Sequence, residues 1–337
     1  MNKNTRILTN HPLHQPNRGE NHGFDCCASY VMNSLGENDY DYDFFTGLTG
    51  DVFVPVFAQG DFYGDNLTDY SIGKENETSG AYLESIFNIC GYASHFVPKA
   101  MVMSNRQQYI QLILEHIDRG IPVIEYGYNE DGPPWGVIVG YENNGEQLLV
   151  ATMNGTEPSR ISTKELSVHL MFVDSKYETK DSKQLYSYAL THLYQLLTAQ
   201  DKEKSYGAKA LYDWATNIES DKFTGINPEA FNGWLAHVCY VCNIATASYC
   251  SHRFLDKVKQ LHPDFTFLEE IKKQYQRLGQ IWNNDNGNDL EALGGGFNIS
   301  LSTLQDKAKC RQIAAKIREA GDCIQRVTDI LSQHISL

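Results

Sequence analysis

The fold is decided by the stretch Gly-Phe-Asp-Cys-Cys-Ala-Ser-Tyr-Val-Met-Asn-Ser-Leu-Gly, residues 23–36. Its apolar residues recur at helical spacing, and Gly36 suits a helix end because glycine adopts positive φ without strain. A cysteine near the N-terminus of a helix is a candidate nucleophile, since the partial positive charge there favours the thiolate. The stretch therefore predicts a helix over about 26–35, with Cys26 and Cys27 as candidate nucleophiles.

A second stretch, Pro-Pro-Trp-Gly-Val-Ile-Val-Gly-Tyr at 133–141, has the continuous apolar content of a buried strand. Further strands are predicted from β-rich runs at 122–126, 147–152 and 170–173, and helices from the patterns at 79–90 and 104–119. Asn-Gly pairs separate several of these runs, as in hairpins. Helices followed by strands joined through tight turns predict an α+β domain with an antiparallel sheet at 21–175.

After Val173 the pattern becomes helical to the end of the chain. Helices are predicted near 183–199, 205–219, 228–260, 266–284, 302–320 and 322–335. The 337 residues exceed the usual size of one domain. We therefore expect a lead-in at 1–20, the α+β domain at 21–175 and an all-α domain at 176–337.

Charge and composition restrict the partners that we expect. The formal net charge of −14, without clustered Lys and Arg, argues against nucleic acid and against an anionic membrane. Residues 1–16 lack the apolar core of a signal peptide, and 234–250 is too short and too polar to span a bilayer. The eight cysteines then predict reduced thiols in a cytoplasmic protein.

Two further motifs could suggest a metal or a cofactor. Cys239, Cys242, Cys250 and His252 lie within one predicted helix, where core packing is the expected role, because metal ligands at this spacing normally sit on a turn. The triplet 294–296 of glycines lacks the strand and the Lys-Ser/Thr of a phosphate loop. We expect neither a metal nor a cofactor.

Three motifs in order resemble the papain-like cysteine peptidase superfamily. The opening Asp-Cys-Cys-Ala-Ser at 25–29 resembles the Asp-Cys-Gly helix of bacteriocin-processing peptidases and is similar to the His-Cys-x-Ser-Thr helix of the butirosin-biosynthesis H-protein family. Residues 114–126 resemble the helix, Gly and Pro-Val-Ile strand of such domains. Residues 135–141 resemble His-Ala-Val-Val-Val-Gly-Tyr, with Trp135 in place of the catalytic histidine. The resemblance implies a papain-like fold over 20–175 and gives Asn154 the orienting position on the next strand.

The resemblance also implies a chemistry. It is cysteine-dependent acyl transfer or amide hydrolysis, through a thioester, on a small amide, a peptide or a carrier-bound aminoacyl group in specialised metabolism. The phase of the helix favours Cys26 as the nucleophile. Counting back six residues to an amide side chain favours Cys27, because that count reaches Asn21. Asn21 and the backbone amides at the helix start would then hold the oxyanion.

Trp135 leaves two functional hypotheses open, because an indole can neither accept a proton nor carry a charge. In the first, a histidine from elsewhere serves as the base, and the candidates are His22, His95 and His169. In the second, the domain is catalytically inactive and binds a peptide or a small molecule. Its cleft would be lined by Trp135, Gly136 and the turn-rich segment 60–80, which contains Phe62 and Tyr63.

Overall fold

The computed structural model describes residues 5–8, 12–58, 81–128, 134–231, 233–284 and 287–335. These residues form an α+β structure with an antiparallel sheet, and they divide into two compact units. The first unit contains the described residues of Met1–Phe45 and Ser71–Leu185, and the second those of Thr46–Tyr70 and Tyr186–Leu337. The α+β class was predicted from the sequence. The predicted cleft segment 60–80, with Phe62 and Tyr63, lies outside the described residues.

Seven of the described strands form the sheet of the first unit. They are Arg6–Ile7 (β1), Tyr92–Val97 (β3), Val123–Tyr126 (β4), Trp135–Glu142 (β5), Gln147–Thr152 (β6), Ser159–Ser162 (β7) and His169–Lys176 (β8). The strand order is β3-β8-β4-β5-β6-β7, and β1 pairs with the far end of β5. Residues 135–141 of the predicted strand thus lie inside the sheet, which explains their continuous apolar run.

Helices pack against the sheet of the first unit. They are Gly23–Ser34 (α1), Ala81–Ile89 (α3), Lys99–Ser104 (α4) and Arg106–Arg119 (α5). The helix Tyr42–Thr49 (α2) follows α1 in the chain, and the division between the two units falls within it, after Phe45. Ile113 and Ile117 of α5 share one buried core with Val123, Ile138 and Val150 of the sheet. Side chains alternate between the two faces of a strand. Trp135, which contacts α1, therefore lies on the other face, so α1 and α5 cover opposite sides of β5.

Three strands of this sheet were not predicted from the sequence, namely β1, β3 and β7. Each lies at an edge of the sheet or covers only two residues, and none has a continuous apolar run. At the β3 edge, the carboxylate of Glu84 accepts a hydrogen bond from the N–H of Phe96 at 2.7 Å. Edge strands are often polar and covered in this way, because an open edge would pair with other chains.

Six described helices make up most of the second unit. They are Ser182–Leu197 (α6), Gly207–Glu219 (α7), Leu235–Leu261 (α8), Leu268–Trp282 (α9), Leu301–Gln305 (α10) and Lys307–His334 (α11). A short ribbon of Val56–Ala58 (β2) and Lys204–Tyr206 (β9) joins them. Residues 46–58 belong to this unit because β2 pairs with β9 and the hydroxyl of Tyr275 donates to the carbonyl of Phe53 at 2.9 Å. The domain ranges taken from the sequence stay a prediction.

The break predicted between 320 and 322 is wrong, because α11 continues through Gly321. A Cβ on this residue would lie 2.6 Å from the ring of Tyr212. Glycine is therefore used here for close packing of α7 on α11 and not as a helix end. The helix begins instead at Asp306, whose carboxylate accepts the N–H groups of Ala308 and Lys309.

The long helix α8 carries the four residues considered as metal ligands, Cys239, Cys242, Cys250 and His252, on one continuous helix. Within the described ranges, no three His, Cys, Asp or Glu side chains are arranged to hold a metal ion. Across those same ranges, no helix combines the length and apolar content needed to cross a bilayer.

His237 of α8 forms hydrogen bonds to α7 and to the glycine triplet within the second unit. The indole of Trp214 donates to His237 Nδ1 at 3.3 Å, so Nε2 carries the ring hydrogen and donates to the carbonyl of Gly295 at 2.8 Å. Burial lowers the pKa of His237 to about 4, so the ring is neutral at neutral pH. The glycine triplet serves this packing, since a Cβ on Gly295 would meet Ile313 at 2.7 Å.

Candidate functional site

The first turn of α1 meets the start of β5 through Trp135. A Cβ on Gly23 would lie 2.7 Å from Cδ1 of the indole, so the ring rests directly on the helix backbone. The ring of Phe24 packs edge-on against the indole at 5.2 Å. Trp135 is only 2% exposed. The residue that the resemblance assigns to the position of the catalytic histidine is thus a buried apolar contact between helix and strand.

Aromatic rings continue from Trp135 across the sheet. The register sets Trp135 opposite Tyr126 and Tyr126 opposite His169, with ring separations of 4.8 and 5.8 Å. Phe96 stacks on His169 at 5.6 Å. Tyr126 and His169 are partly exposed. These five rings, from Phe24 through Trp135, Tyr126 and His169 to Phe96, form a continuous row that we call the aromatic row.

His169 is the candidate base nearest to Trp135 in this row, and its protonation is restricted by the backbone. The N–H of Lys99 donates to His169 Nδ1 at 3.2 Å. In the neutral ring the hydrogen therefore lies on Nε2, which then acts only as a donor. His95 lies on β3 with its side chain exposed, 3.7 Å from the carboxylate of Glu84.

The two adjacent cysteines point to different surroundings. Cys27 lies four residues after Gly23, so it shares the helix face that packs on the sheet, and it is fully buried. Burial, with the nearby charges of Glu125 and Asp25, raises the pKa of the Cys27 thiol well above its usual value. Cys26 lines a polar recess on another side of α1. Cys27 is therefore a protonated thiol at neutral pH, whereas Cys26, although only 2% exposed, lines a cavity.

Two backbone amides just before α1 donate to a side chain of the protein itself. The N–H groups of Asn21 and His22 donate to the hydroxyl of Tyr42 at 3.2 and 3.3 Å. The N–H of Cys26 donates to the carbonyl of His22 at 3.2 Å within the helix. Burial lowers the pKa of His22 to about 4. His22 is therefore a neutral, buried imidazole at neutral pH and cannot form an ion pair with a thiolate there.

The pairing of β5 with β6 sets the positions of Gly136 and Asn154. Thr152, the last residue of β6, is opposite Gly136, and Asn154 follows two residues later, exposed in a turn. A Cβ on Gly136 would overlap the carboxylate of Glu125 and would lie 2.8 Å from Val150. Gly136 thus faces the α5 side of the sheet, and its missing side chain makes room for the buried acid.

Sequence reasoning missed Glu125, which is 1% exposed in the middle of the sheet. The N–H of Tyr128 donates to its carboxylate at 3.2 Å. Burial raises the pKa of Glu125 to about 8, so the side chain is a neutral acid at neutral pH. The sequence Pro-Val-Ile-Glu-Tyr could have identified Glu125, because a charged residue in an otherwise apolar strand is rare without a specific role.

The polar recess beside Cys26 has a volume of about 190 Å³. Three segments line it: the lead-in, the outer face of α1 and the start of α2. Its residues are Pro12, Leu13, His14, Gln15, Arg18, Glu20, Cys26, Ser29, Tyr30, Asn33, Asp41, Tyr42 and Asp43. The predicted lead-in thus forms one wall of a cavity, and His14, which sequence reasoning did not consider, lines the same space as Cys26.

Charged groups in the recess are arranged around Arg18. Its Nη2 lies 3.3 Å from Asp43 Oδ2, and its Nε lies 3.7 Å from Glu20 Oε1. Glu20 also accepts the N–H of Gln15 at 2.6 Å. Burial lowers the pKa of His14, so this ring is neutral at neutral pH. Acidic groups therefore predominate in the lining.

Comparison with known proteins adds no assignment: no family model matches this chain, and no curated protein matches it either. The geometry described above is therefore the basis on which function is argued.

Proposed function

We propose that the first unit is a papain-like domain that binds a peptide or a small molecule along the aromatic row and does not act as a cysteine peptidase. One observation carries the proposal. The indole of Trp135 lies on Gly23 at the start of α1, where a cysteine peptidase would need an imidazole beside its thiol. The thiol of Cys27 supports the same proposal, since burial raises its pKa, whereas a nucleophilic cysteine needs a lowered pKa.

The aromatic row supplies the surface for binding. Tyr126 and His169 are partly exposed, while Trp135 and Phe96 behind them are buried and fix their orientation. Rigid aromatic rings provide contact area at little cost in side-chain entropy. The N–H of Lys99 donates to Nδ1 of His169, which fixes the orientation of this ring. The row therefore suits a planar or apolar group.

Binding to the row can be tested with indole and phenylalanine amide as probes. We expect both to shift the NMR signals of Tyr126 and His169. In Tyr126→Ala the affinity should fall by about fivefold, because one stacking contact is lost. Tyr177→Ala is the matched control, since Tyr177 is 58% exposed and is not part of the row. Equal affinities in both variants, or no shift with either probe, would refute binding at this surface.

The absence of a peptidase mechanism can be tested by alkylation of the two thiols with iodoacetamide as a function of pH. A cysteine without a base reacts faster as pH rises toward about 8.5, about tenfold per pH unit, with no plateau below neutral pH. We expect this profile for Cys26 and a slower reaction for Cys27, whose pKa is raised by burial. Mass spectrometry of the peptide that contains both residues measures the rates.

The variants Cys26→Ser and Cys27→Ser assign the modification, because the two cysteines are adjacent in one peptide. A rate for Cys26 that levels off below about pH 7 would mean that a base or a cation stabilises its thiolate. That result would contradict the binding proposal and support the second candidate function below.

Acyl transfer through Cys26 is the second candidate, and the recess is the observation that favours it. Cys26 and His14 line the same cavity, and His14 is neutral at neutral pH, so it can accept the thiol proton. The sulfur would then attack the carbonyl carbon of a small amide, a peptide or a carrier-bound aminoacyl group. A thioester forms, and the leaving group takes up the proton. Loss of thioester hydrolysis in both Cys26→Ser and His14→Gln would identify this reaction.

A further inference from the structure

The short strand β1 lies along one side of β5, at the point where β4 no longer covers it. On this side β4 pairs with β5 only as far as Ile138, and beyond it β1 pairs with β5 in antiparallel fashion. The carbonyl of Val139 also accepts the N–H of Leu8 at 2.9 Å. The other side of β5 is paired with β6. Residues 6–8 thus occupy the position of an extended chain added to an open edge of the sheet.

We propose that this end of β5 is a docking site for an extended segment of a partner protein, in which a basic residue is followed two positions later by an aliphatic residue. Residues 6–8 then act as an internal competitor for the same site. In this mode of peptide recognition, backbone hydrogen bonds supply affinity and side-chain contacts supply specificity. The proposal does not rest on the aromatic row, which crosses β5 at its other end, at Trp135.

Gly140 leaves room for the backbone of the added strand. A Cβ on this residue would overlap the carbonyl oxygen of Arg6 and would lie 3.1 Å from Cα of Ile7. The three atoms nearest to that Cβ position all belong to β1. A glycine inside a strand often marks a place where another backbone approaches closely. The apolar run of β5 is therefore interrupted by glycine at the residue where the added chain passes.

Two side-chain contacts define the residues that the site accepts. Nη1 of Arg6 lies 3.8 Å from Oδ1 of Asp118 on α5, and the hydroxyl of Tyr141 donates to the same oxygen at 2.9 Å. Leu8 packs against the core that α5 shares with the sheet. Ile7, between them, is 52% exposed. The site therefore contacts the first and third residues of the segment and leaves the second in water, because side chains alternate along a strand.

The contacts that hold β1 in place are few. The strand covers two residues, and the side chain of Asp118 is 53% exposed, so its ion pair with Arg6 is weakened by water. Leu8 is only partly buried at the margin of the core. Another segment with the same pattern can therefore replace residues 6–8 without disturbing the buried residues of the sheet.

The experiment uses the full chain and two fluorescent peptides, Lys-Asn-Thr-Arg-Ile-Leu-Thr-Asn, which is the sequence of residues 3–10, and Ser-Asn-Thr-Lys-Thr-Leu-Thr-Ser, which keeps only the pattern. Anisotropy measures the affinity, and NMR shifts of the Gly140 amide locate the binding. In the unmodified chain, residues 6–8 compete with the peptide and weaken its apparent affinity. Leu8→Ser weakens this competitor, so we expect both peptides to bind that variant about tenfold more tightly than the unmodified chain.

Ile7→Ser is the matched control in the chain, because Ile7 is mostly exposed. It should change the affinity for either peptide by less than about twofold. Arg6→Ala also weakens the internal competitor, so it provides a test that remains if Leu8→Ser fails to fold. Adding Gly140→Ala to either weakened variant should abolish binding, because its Cβ would take the place of a carbonyl oxygen of the added strand.

The same substitutions made in the peptide should have the opposite effect. Serine in place of the peptide leucine should weaken binding to the Leu8→Ser chain by about tenfold. Alanine in place of the peptide arginine should weaken it by about threefold, because the ion pair with Asp118 is partly exposed. Serine in place of the peptide isoleucine should have little effect.

The proposal is overturned if neither peptide binds the weakened variants, if the leucine and isoleucine substitutions in the peptide act alike, or if Gly140→Ala leaves the affinity unchanged. Sedimentation of the unmodified chain without peptide provides a further check. A dimer that Gly140→Ala abolishes would mean that a second copy of this chain fills the site, and the assignment to a partner protein would be wrong. None of these outcomes affects binding at the aromatic row, because indole and phenylalanine amide report on Tyr126 and His169.

Discussion

Replacing Glu125 with Gln is expected to remove the loss of stability that the Glu125 carboxyl causes in the first unit as pH rises. Glu125 is 1% exposed, and burial raises its pKa from 4.5 to about 8. In the unfolded chain the carboxyl ionises near its ordinary value, while in the folded chain it keeps its proton. The stabilising contribution is therefore fully present below about pH 4.5 and is lost as pH rises through about 8.

The expected size of this effect is about 4 kcal/mol between about pH 5 and pH 9. Gln keeps the shape of the side chain and can still accept the N–H of Tyr128, but it cannot ionise. Urea unfolding followed by hydrogen exchange in β4 and β5 measures the free energy of the first unit at each pH. We expect Glu125→Gln to be the more stable protein at high pH, and the difference in free energy of unfolding between the two proteins to grow as pH rises from about 5 to about 8.

Glu165→Gln is the control, because Glu165 is exposed on the same unit and the substitution removes the same charge. Its profile should run parallel to that of the unmodified protein. If the Glu125→Gln profile also ran parallel to that of the unmodified protein, the carboxyl of Glu125 would be ionised in the folded state at neutral pH. Burial would then not raise its pKa.

Much of the sheet was predictable from the sequence because its central strands are buried on both faces. The apolar runs at 122–126, 133–141 and 147–152 correspond to β4, β5 and β6 within one or two residues. Edge strands such as β7, with the sequence Ser-Arg-Ile-Ser, have one side open to water. Their residues are therefore polar and lack the apolar run from which a strand is predicted. A pattern of apolar residues in the sequence indicates which strands are buried, and the edge strands of a sheet are only partly buried.

The candidate site was predictable only in part. The sequence indicated that α1 and the strand at Trp135 belong together, and the indole does lie on Gly23. It did not indicate that Cys26 and Cys27 face different surroundings, because that depends on what packs on each side of α1. The lead-in residues His14, Arg18 and Glu20 have no periodic pattern, and only the folded chain brings them to Cys26.

Replacing Trp135 with Ala is expected to cost the first unit about 3 to 5 kcal/mol, the range for truncation of a fully buried large aromatic side chain. The indole is 2% exposed and packs between Phe24 and Tyr126. Hydrogen exchange of the β5 amides measures the loss. Tyr177→Ala is the control for truncation of an exposed aromatic ring, and it should cost less than about 1 kcal/mol.

The contact between Trp135 and Gly23 also predicts a reversal of sign in a double-mutant cycle. Gly23→Ala alone should be destabilising, because its Cβ would lie 2.7 Å from the indole Cδ1. In a Trp135→Gly background the added Cβ meets neither the indole nor the Cβ of residue 135, which would otherwise lie 2.9 Å away, and alanine in a helix is favoured over glycine by up to about 1 kcal/mol. Gly23→Ala should therefore stabilise that variant. If Gly23→Ala had the same sign in both backgrounds, the indole would not rest on the first turn of α1. The position that the papain-like resemblance gives to a base would then be open, and the argument for binding without a peptidase mechanism would lose its main support.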